Sequence, residues 1–121
     1  MPPIRVYADT SVFGGVFDSQ FQSASRTFFD QVRSGRFQLV TSALVQYEIS
    51  GAPDRIQGLF GGMMDIAEVA EISDESYSLQ EAYLSEGILD SRHAEDALHV
   101  AIASVTGCSL VVIPSLFDGA V

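Results

Sequence analysis

The sequence has no lysine, no asparagine, no tryptophan and a single cysteine, Cys108. Its six basic residues are all arginine, set against sixteen Asp and Glu, and the formal net charge is -10. Each shortage removes a class of protein. A lone cysteine closes no internal disulfide, which fits a reducing compartment and points to a cytoplasmic chain. Sparse basic charge argues against a binder that works by displacing counterions from nucleic-acid phosphates, because that requires clustered Lys or Arg. No apolar run approaches the roughly 18 residues of a membrane-spanning helix, so no membrane contact is expected. Met1-Pro2-Pro3-Ile4-Arg5 lacks the apolar core of a secretory signal. No Ser sits in a G-x-S-x-G setting, and neither C-x-x-C nor H-E-x-x-H occurs. Gly14-Gly15 reads as a turn, since no Walker lysine or G-x-G-x-x-G accompanies it.

What is present is apolar and periodic. Over 121 residues, 47% are hydrophobic, too many for a disordered acidic tail and enough for one domain with a real core. The whole chain, 1–121, reads as a single domain without repeats. Ile4 to Ala8 reads as a strand. Phe21 to Arg33 reads as a helix, with Phe21, Ser25, Phe28, Phe29 and Val32 spaced near 3.6 and Gly35 after it as a stop. Phe37 to Val40 is a second strand, and Thr41 or Ser42 caps a helix running to about Ser50. Asp54 to Met64 is a helical candidate weakened by Gly58, Gly61 and Gly62. Ile66 to Ile72 reads as a third strand. Ser73-Asp74-Glu75 opens a helix closed by Gly87, and His93 to Val105 forms an alanine-rich helix closed by Gly107. Leu110 to Ile113 is the last strand. Apolar strands alternating with helices predict a three-layer α/β/α sandwich around a mostly parallel sheet with right-handed crossovers.

Three carboxylates are hard to dismiss as solvated surface. Asp9 ends the first strand, where ligands bind in parallel α/β sheets; it is equally placed to cap the next helical turn. Glu48 follows Leu44 and Val45 on a helix and so borders an apolar stripe, a position that also suits a boundary residue with its head group in water. Asp96 opens Asp96-Ala97-Leu98-His99-Val100-Ala101-Ile102-Ala103, apolar almost all round. An ionised Asp there needs a cation, a cap role or water, and the helix dipole alone would favour it. Glu95 is expected to face away and pair with His99 at the surface. Carboxylates gathered without a His/Cys cluster select oxygen-preferring cations, Mg²⁺ or Mn²⁺. Phe13, Phe17, Phe21, Phe28 and Phe29 form an aromatic-rich early region; most are expected in the core, and a minority in a surface groove for a partner segment or in a dimer contact. Arg26, Arg33 and Arg36 cluster at one helix end, while Arg5, Arg55 and Arg92 are scattered.

These stretches resemble a known family. Val6-Tyr7-Ala8-Asp9-Thr10-Ser11-Val12 is similar to the opening motif of PIN-domain nucleases. Thr41-Ser42 with the acid in Val45-Gln46-Tyr47-Glu48-Ile49 resembles the second motif. Glu95-Asp96-Ala97-Leu98-His99-Val100-Ala101-Ile102-Ala103 resembles the third and is the most specific. Among PIN domains, a single short domain of this kind is similar to VapC-type toxins of toxin–antitoxin pairs. The resemblance implies a PIN-like fold and Mg²⁺- or Mn²⁺-dependent RNA cleavage. It also implies a homodimer inhibited by a small antitoxin. It implies that Asp9, Glu48 and Asp96 form the acidic metal and catalytic site, with Thr10 or Ser11 orienting the first acid. The chain departs from the pattern at its C-terminal end. Ser109 follows Gly107-Cys108 where relatives often carry Asp. Ser115 falls near the expected fourth polar position, with Asp118 displaced from it. That end therefore reads as incomplete relative to the family, and the alternative function is a catalytically impaired PIN-fold module that binds a partner or dimerises.

Overall fold

The computed structural model describes residues 3–112. Strand β1, Ile4–Ala8, is followed by helices α1, Thr10–Gly15, and α2, Gln22–Arg33. Strand β2, Phe37–Ser42, leads to α3, Ala43–Ile49, and α4, Asp54–Met63. Strand β3, Glu68–Ala70, leads to α5, Asp74–Ser85, and α6, Ala94–Val105, and strand β4 is Leu110–Val112. A single 3₁₀ turn, Ser91–His93, precedes α6. No helix among the described residues is long and apolar enough to cross a membrane.

The sheet order is β3-β2-β1-β4 and every pairing is parallel. The crossovers β1-α1-α2-β2 and β2-α3-α4-β3 step in one direction; β3-α5-α6-β4 steps back past β1. Right-handed connections therefore place α1–α4 on one face of the sheet and α5 and α6 on the other. The direction reverses between β1 and β4, and such a reversal opens a crevice beyond the carboxyl ends of the strands. The Asp9 amide donates to the Val112 carbonyl across that junction at 3.2 Å.

Burial explains the elements. Val6, Tyr7 and Ala8 are all but inaccessible, as a central strand covered on both faces must be. Phe13 packs its ring against Phe29 and Phe60 at centroid distances of 5.1 and 5.2 Å, joining α1, α2 and α4. Of the early aromatics, Phe13 and Phe29 are buried; Phe17, Phe21 and Phe28 are half-buried. Phe28 stacks on Phe37, and Arg55 lies over the Phe17 ring at 5.1 Å. Helix α4 forms despite its three glycines because Phe60 and Met63 are buried on it, and tertiary packing outweighs propensity.

Two boundaries differ from the sequence reading. Strand β2 runs on through Thr41 and Ser42, both fully buried, because these residues pair with Val69 and Ala70. Ser42 still caps α3, accepting from the Val45 amide at 3.2 Å. Strand β3 is three residues long rather than seven. It is hydrogen-bonded on one side only, by β2, and Glu68 and Val69 face water, which leaves little to hold the flanking residues in the sheet.

Candidate functional site

The carboxyl edge of β1 and β2 gathers the acids. Asp9 follows β1 directly and is 3% exposed. It caps α1: the Ser11 amide and hydroxyl both donate to its Oδ1, at 3.1 and 2.6 Å. Capping and burial thus coincide in one residue, and the two readings of Asp9 are compatible. Burial pushes its carboxyl above the ordinary value of 3.8; the Ser11 hydroxyl pulls it down, and the negative charge of Asp96 pushes it up again. Asp9 and Asp96, from different elements, are therefore close enough to repel.

Glu48 reaches the same edge from α3. Thr10 Oγ1 donates to its Oε1 at 2.5 Å, and His99 Nε2 lies 2.9 Å from that same oxygen. The two hydroxyls after Asp9 therefore serve different acids, Ser11 holding Asp9 and Thr10 holding Glu48. Asp96, in the first turn of α6, is partly buried and lies 3.3 Å from His93 Nδ1 through its Oδ2.

Glu95 is exposed, as expected, but its carboxyl is not isolated. Its carboxyl is pushed above the ordinary 4.5, first by hydrogen bonding with Glu48 and then by the charge of that same group. The expected pairing of Glu95 with His99 gives way to a different one. The buried imidazole turns inward, with Nε2 on Glu48 and Nδ1 2.6 Å from Tyr7 Oη. His99 and Tyr7 are the site-edge residues that sequence reasoning passed over. The available signal was a polar ring inside an otherwise apolar helix, which must find partners when buried. Ser115 and Asp118, the tentative fourth position, lie outside the described residues.

A shallow depression lined by Ser91, Arg92, Ala94, Glu95 and Asp96 adjoins the acids. Arg92 stands exposed on its rim, its guanidinium held by both Nε and an Nη on Asp90 Oδ2 at 3.1 and 2.8 Å.

Among the described residues, no three His, Cys, Asp or Glu side chains close tightly enough to enclose a metal ion by themselves. The donor set nevertheless suits Mg²⁺ or Mn²⁺. It consists of carboxylates, two of which repel, and Mg²⁺ characteristically binds through one or two carboxylates while keeping several waters.

The fold is shared with solved structures. VapBC2 from Rickettsia felis, bound to a DNA fragment from their promoter, matches with a TM-score of 0.61 and 14% identity, over 95% of this chain and 92% of that one. VapC20 of Mycobacterium tuberculosis, a sarcin–ricin loop cleaving toxin, matches with a TM-score of 0.59 and 15% identity, over 95% and 94%. No protein-family model and no curated protein sequence matches the chain. The architecture is thus an α/β fold built on a parallel sheet, the PIN-like fold of the VapC toxins.

Proposed function

We propose that this chain is a Mg²⁺- or Mn²⁺-dependent endoribonuclease, the toxin of a toxin–antitoxin pair, acting in the cytoplasm as a homodimer restrained by a small antitoxin. The observation that carries this reading is the placement of Asp9. A carboxylate almost wholly buried at the carboxyl end of β1, raised by desolvation and further by Asp96, is costly to fold without a cation. The likeness in fold to VapC20, a sarcin–ricin loop cleaving toxin, supports this reading.

Asp9, Glu48 and Asp96 would hold the ion, which supplies positive charge to the scissile phosphate and acidifies water for attack on phosphorus. The protein's own part is orientation. Ser11 fixes the Asp9 carboxylate, and Thr10 and His99 fix Glu48. Such preorganised groups avoid reorganisation during the reaction. Arg92, which lines a depression with Glu95 and Asp96, would contact the RNA backbone. The net charge of -10 then opposes broad, charge-driven RNA binding without opposing RNA as a substrate, because the bridging cation need not be a side chain.

The test is cleavage of an RNA panel, with and without Mg²⁺, by antitoxin-free wild type and by Asp96→Asn. Mg²⁺-dependent cleavage by wild type alone supports the proposal. Equal cleavage by both, or none by wild type, overturns it and favours the impaired binding module.

A further inference from the structure

Behind the His99 contact with Glu48 runs a chain of buried polar groups that reaches through Tyr7 to Ser42. Ser42 Oγ lies 2.8 Å from Tyr7 Oη, which lies 2.6 Å from His99 Nδ1. His99 Nε2 lies 2.9 Å from Glu48 Oε1, where Thr10 Oγ1 also donates. The groups come from β2, β1, α6, α3 and α1. Tyr7 and Ser42 are fully buried and His99 is nearly so, so each must satisfy its polar atoms inside the chain.

The proton positions follow from the inventory of donors and acceptors. Ser42 Oγ accepts the Val45 amide, so its own proton is directed at Tyr7 Oη and the phenol proton at His99 Nδ1. A neutral imidazole has one N–H and one lone pair. With the proton on Nδ1, the Nε2 lone pair would face a carboxylate oxygen that already accepts from Thr10. With the proton on Nε2, His99 donates to Glu48, and Nδ1 accepts from the Tyr7 hydroxyl. Tyr7 Oη then accepts from the Ser42 hydroxyl, and Ser42 Oγ accepts the Val45 amide. Only this direction leaves every member satisfied.

We infer that Tyr7 and His99 are positioning residues for Glu48: a one-way hydrogen-bond chain from Ser42 fixes the Nε2–H tautomer of His99 and clamps Glu48 through Oε1. Both donors land on Oε1, so Oε2 is the oxygen left for a ligand or for Glu95. What Glu48 is positioned for rests on the metal-dependent reading above; the direction of the chain does not. Ligand-orienting partners of this kind act by holding rotamer and tautomer, and their loss typically weakens metal binding without removing a ligand.

The experiment is imidazole ¹⁵N NMR on the metal-free protein, whose two histidines are readily told apart by His93→Gln, combined with Mn²⁺ titration by calorimetry. Wild-type His99 is expected as a neutral ring protonated at Nε2. Tyr7→Phe, which keeps the ring and removes the donor, is expected to mix the tautomers and to weaken Mn²⁺ roughly 10- to 100-fold. His99→Gln, whose amide N–H can still reach Glu48, is expected to retain more Mn²⁺ affinity than His99→Leu. A wild-type His99 protonated at Nδ1 overturns the inference whether or not Tyr7→Phe folds. So does Tyr7→Phe with unaltered tautomer and affinity. Wild type that binds no Mn²⁺ but shows the Nε2–H ring counts against the metal-dependent reading while upholding the chain.

Discussion

The His99 ring and the Glu48 carboxylate meet at 2.9 Å, although 51 residues separate them in the chain. The contact joins α6 to α3 around the end of the sheet. It makes one network responsible for both the shape of the candidate site and part of the stability of the fold. His99→Leu removes a donor and an acceptor at once, leaving Tyr7 Oη and Glu48 short of a partner. Urea denaturation is expected to show a loss of about 2–4 kcal/mol, the range for a buried network stripped of one member. A loss below about 0.5 kcal/mol would mean that water replaces the ring.

Asp9 carries the opposite sign. Its folded pKa lies above the ordinary 3.8, so the folded state holds that proton more tightly than the unfolded state. The resulting stabilisation is complete below about pH 3.8 and is lost as pH rises through the raised value. At neutral pH the metal-free protein therefore carries a penalty that Asp9→Asn removes. Asn also caps helices about as well as Asp, so α1 should survive. Melting scans should show Asp9→Asn above metal-free wild type by roughly 2–6 °C, with the gap opening as pH rises above 4. Mn²⁺ should close it by stabilising wild type alone, while RNA cleavage by the variant is lost. A variant less stable than wild type at every pH would refute this account.

Much of this was legible in the sequence because local and global signals agreed. Strand β1 ends where its apolar run meets Asp9, and α2 stops before Gly35, whose φ of +85° suits no other residue as well. Asp9, Glu48 and Asp96 were visible as acids next to apolar stripes, a mismatch that residue order alone exposes. The remainder depended on partners distant in sequence. Thr41 and Ser42 read as a helix cap, yet pairing with β3 draws them into the sheet. Glu95 is exposed, as its position one residue from Asp96 predicts, but residue order does not show that its carboxyl meets Glu48 on another helix. No spacing within α6 reveals that His99 turns toward β1 and α3 rather than toward its own helix surface.

Thr41 shows the cost of such tertiary placement. It is fully buried in β2, and its hydroxyl has no hydrogen-bond partner among the described residues. Thr41→Val swaps that hydroxyl for a methyl of similar size in a strand that favours β-branched residues. The variant is expected to gain about 1 kcal/mol, from removal of an unsatisfied buried polar group, measured as a higher urea midpoint with unchanged slope. A loss of stability would reveal a partner for the hydroxyl.

Gly15 tests the packing that carries α1 onto α2. A Cβ at this position would lie inside the contact distance of Ser25 Oγ and close to Phe21 Cβ, and Ser25 is itself buried. Gly15→Ala should therefore cost about 1–3 kcal/mol through overpacking. Because the crowding atom is a single hydroxyl, Ser25→Ala in the same chain should recover at least half of that loss. Additive effects in the double-mutant cycle would place the strain elsewhere.

Arg92 separates substrate holding from chemistry. It lines the depression shared with Glu95 and Asp96 but donates to Asp90, outside the acidic set. If it contacts the RNA backbone and not the reacting atoms, Arg92→Ala should raise KM about 3- to 10-fold and leave kcat within twofold, the pattern of lost uniform binding. It should also reduce the slope of log affinity against log salt by about one, as expected for one phosphate contact. Asp90→Ala frees the guanidinium from its carboxylate without removing the charge, so it should leave the salt slope intact. A large fall in kcat for Arg92→Ala would instead put the guanidinium at the transition state, and an unchanged salt slope would remove it from the RNA path altogether.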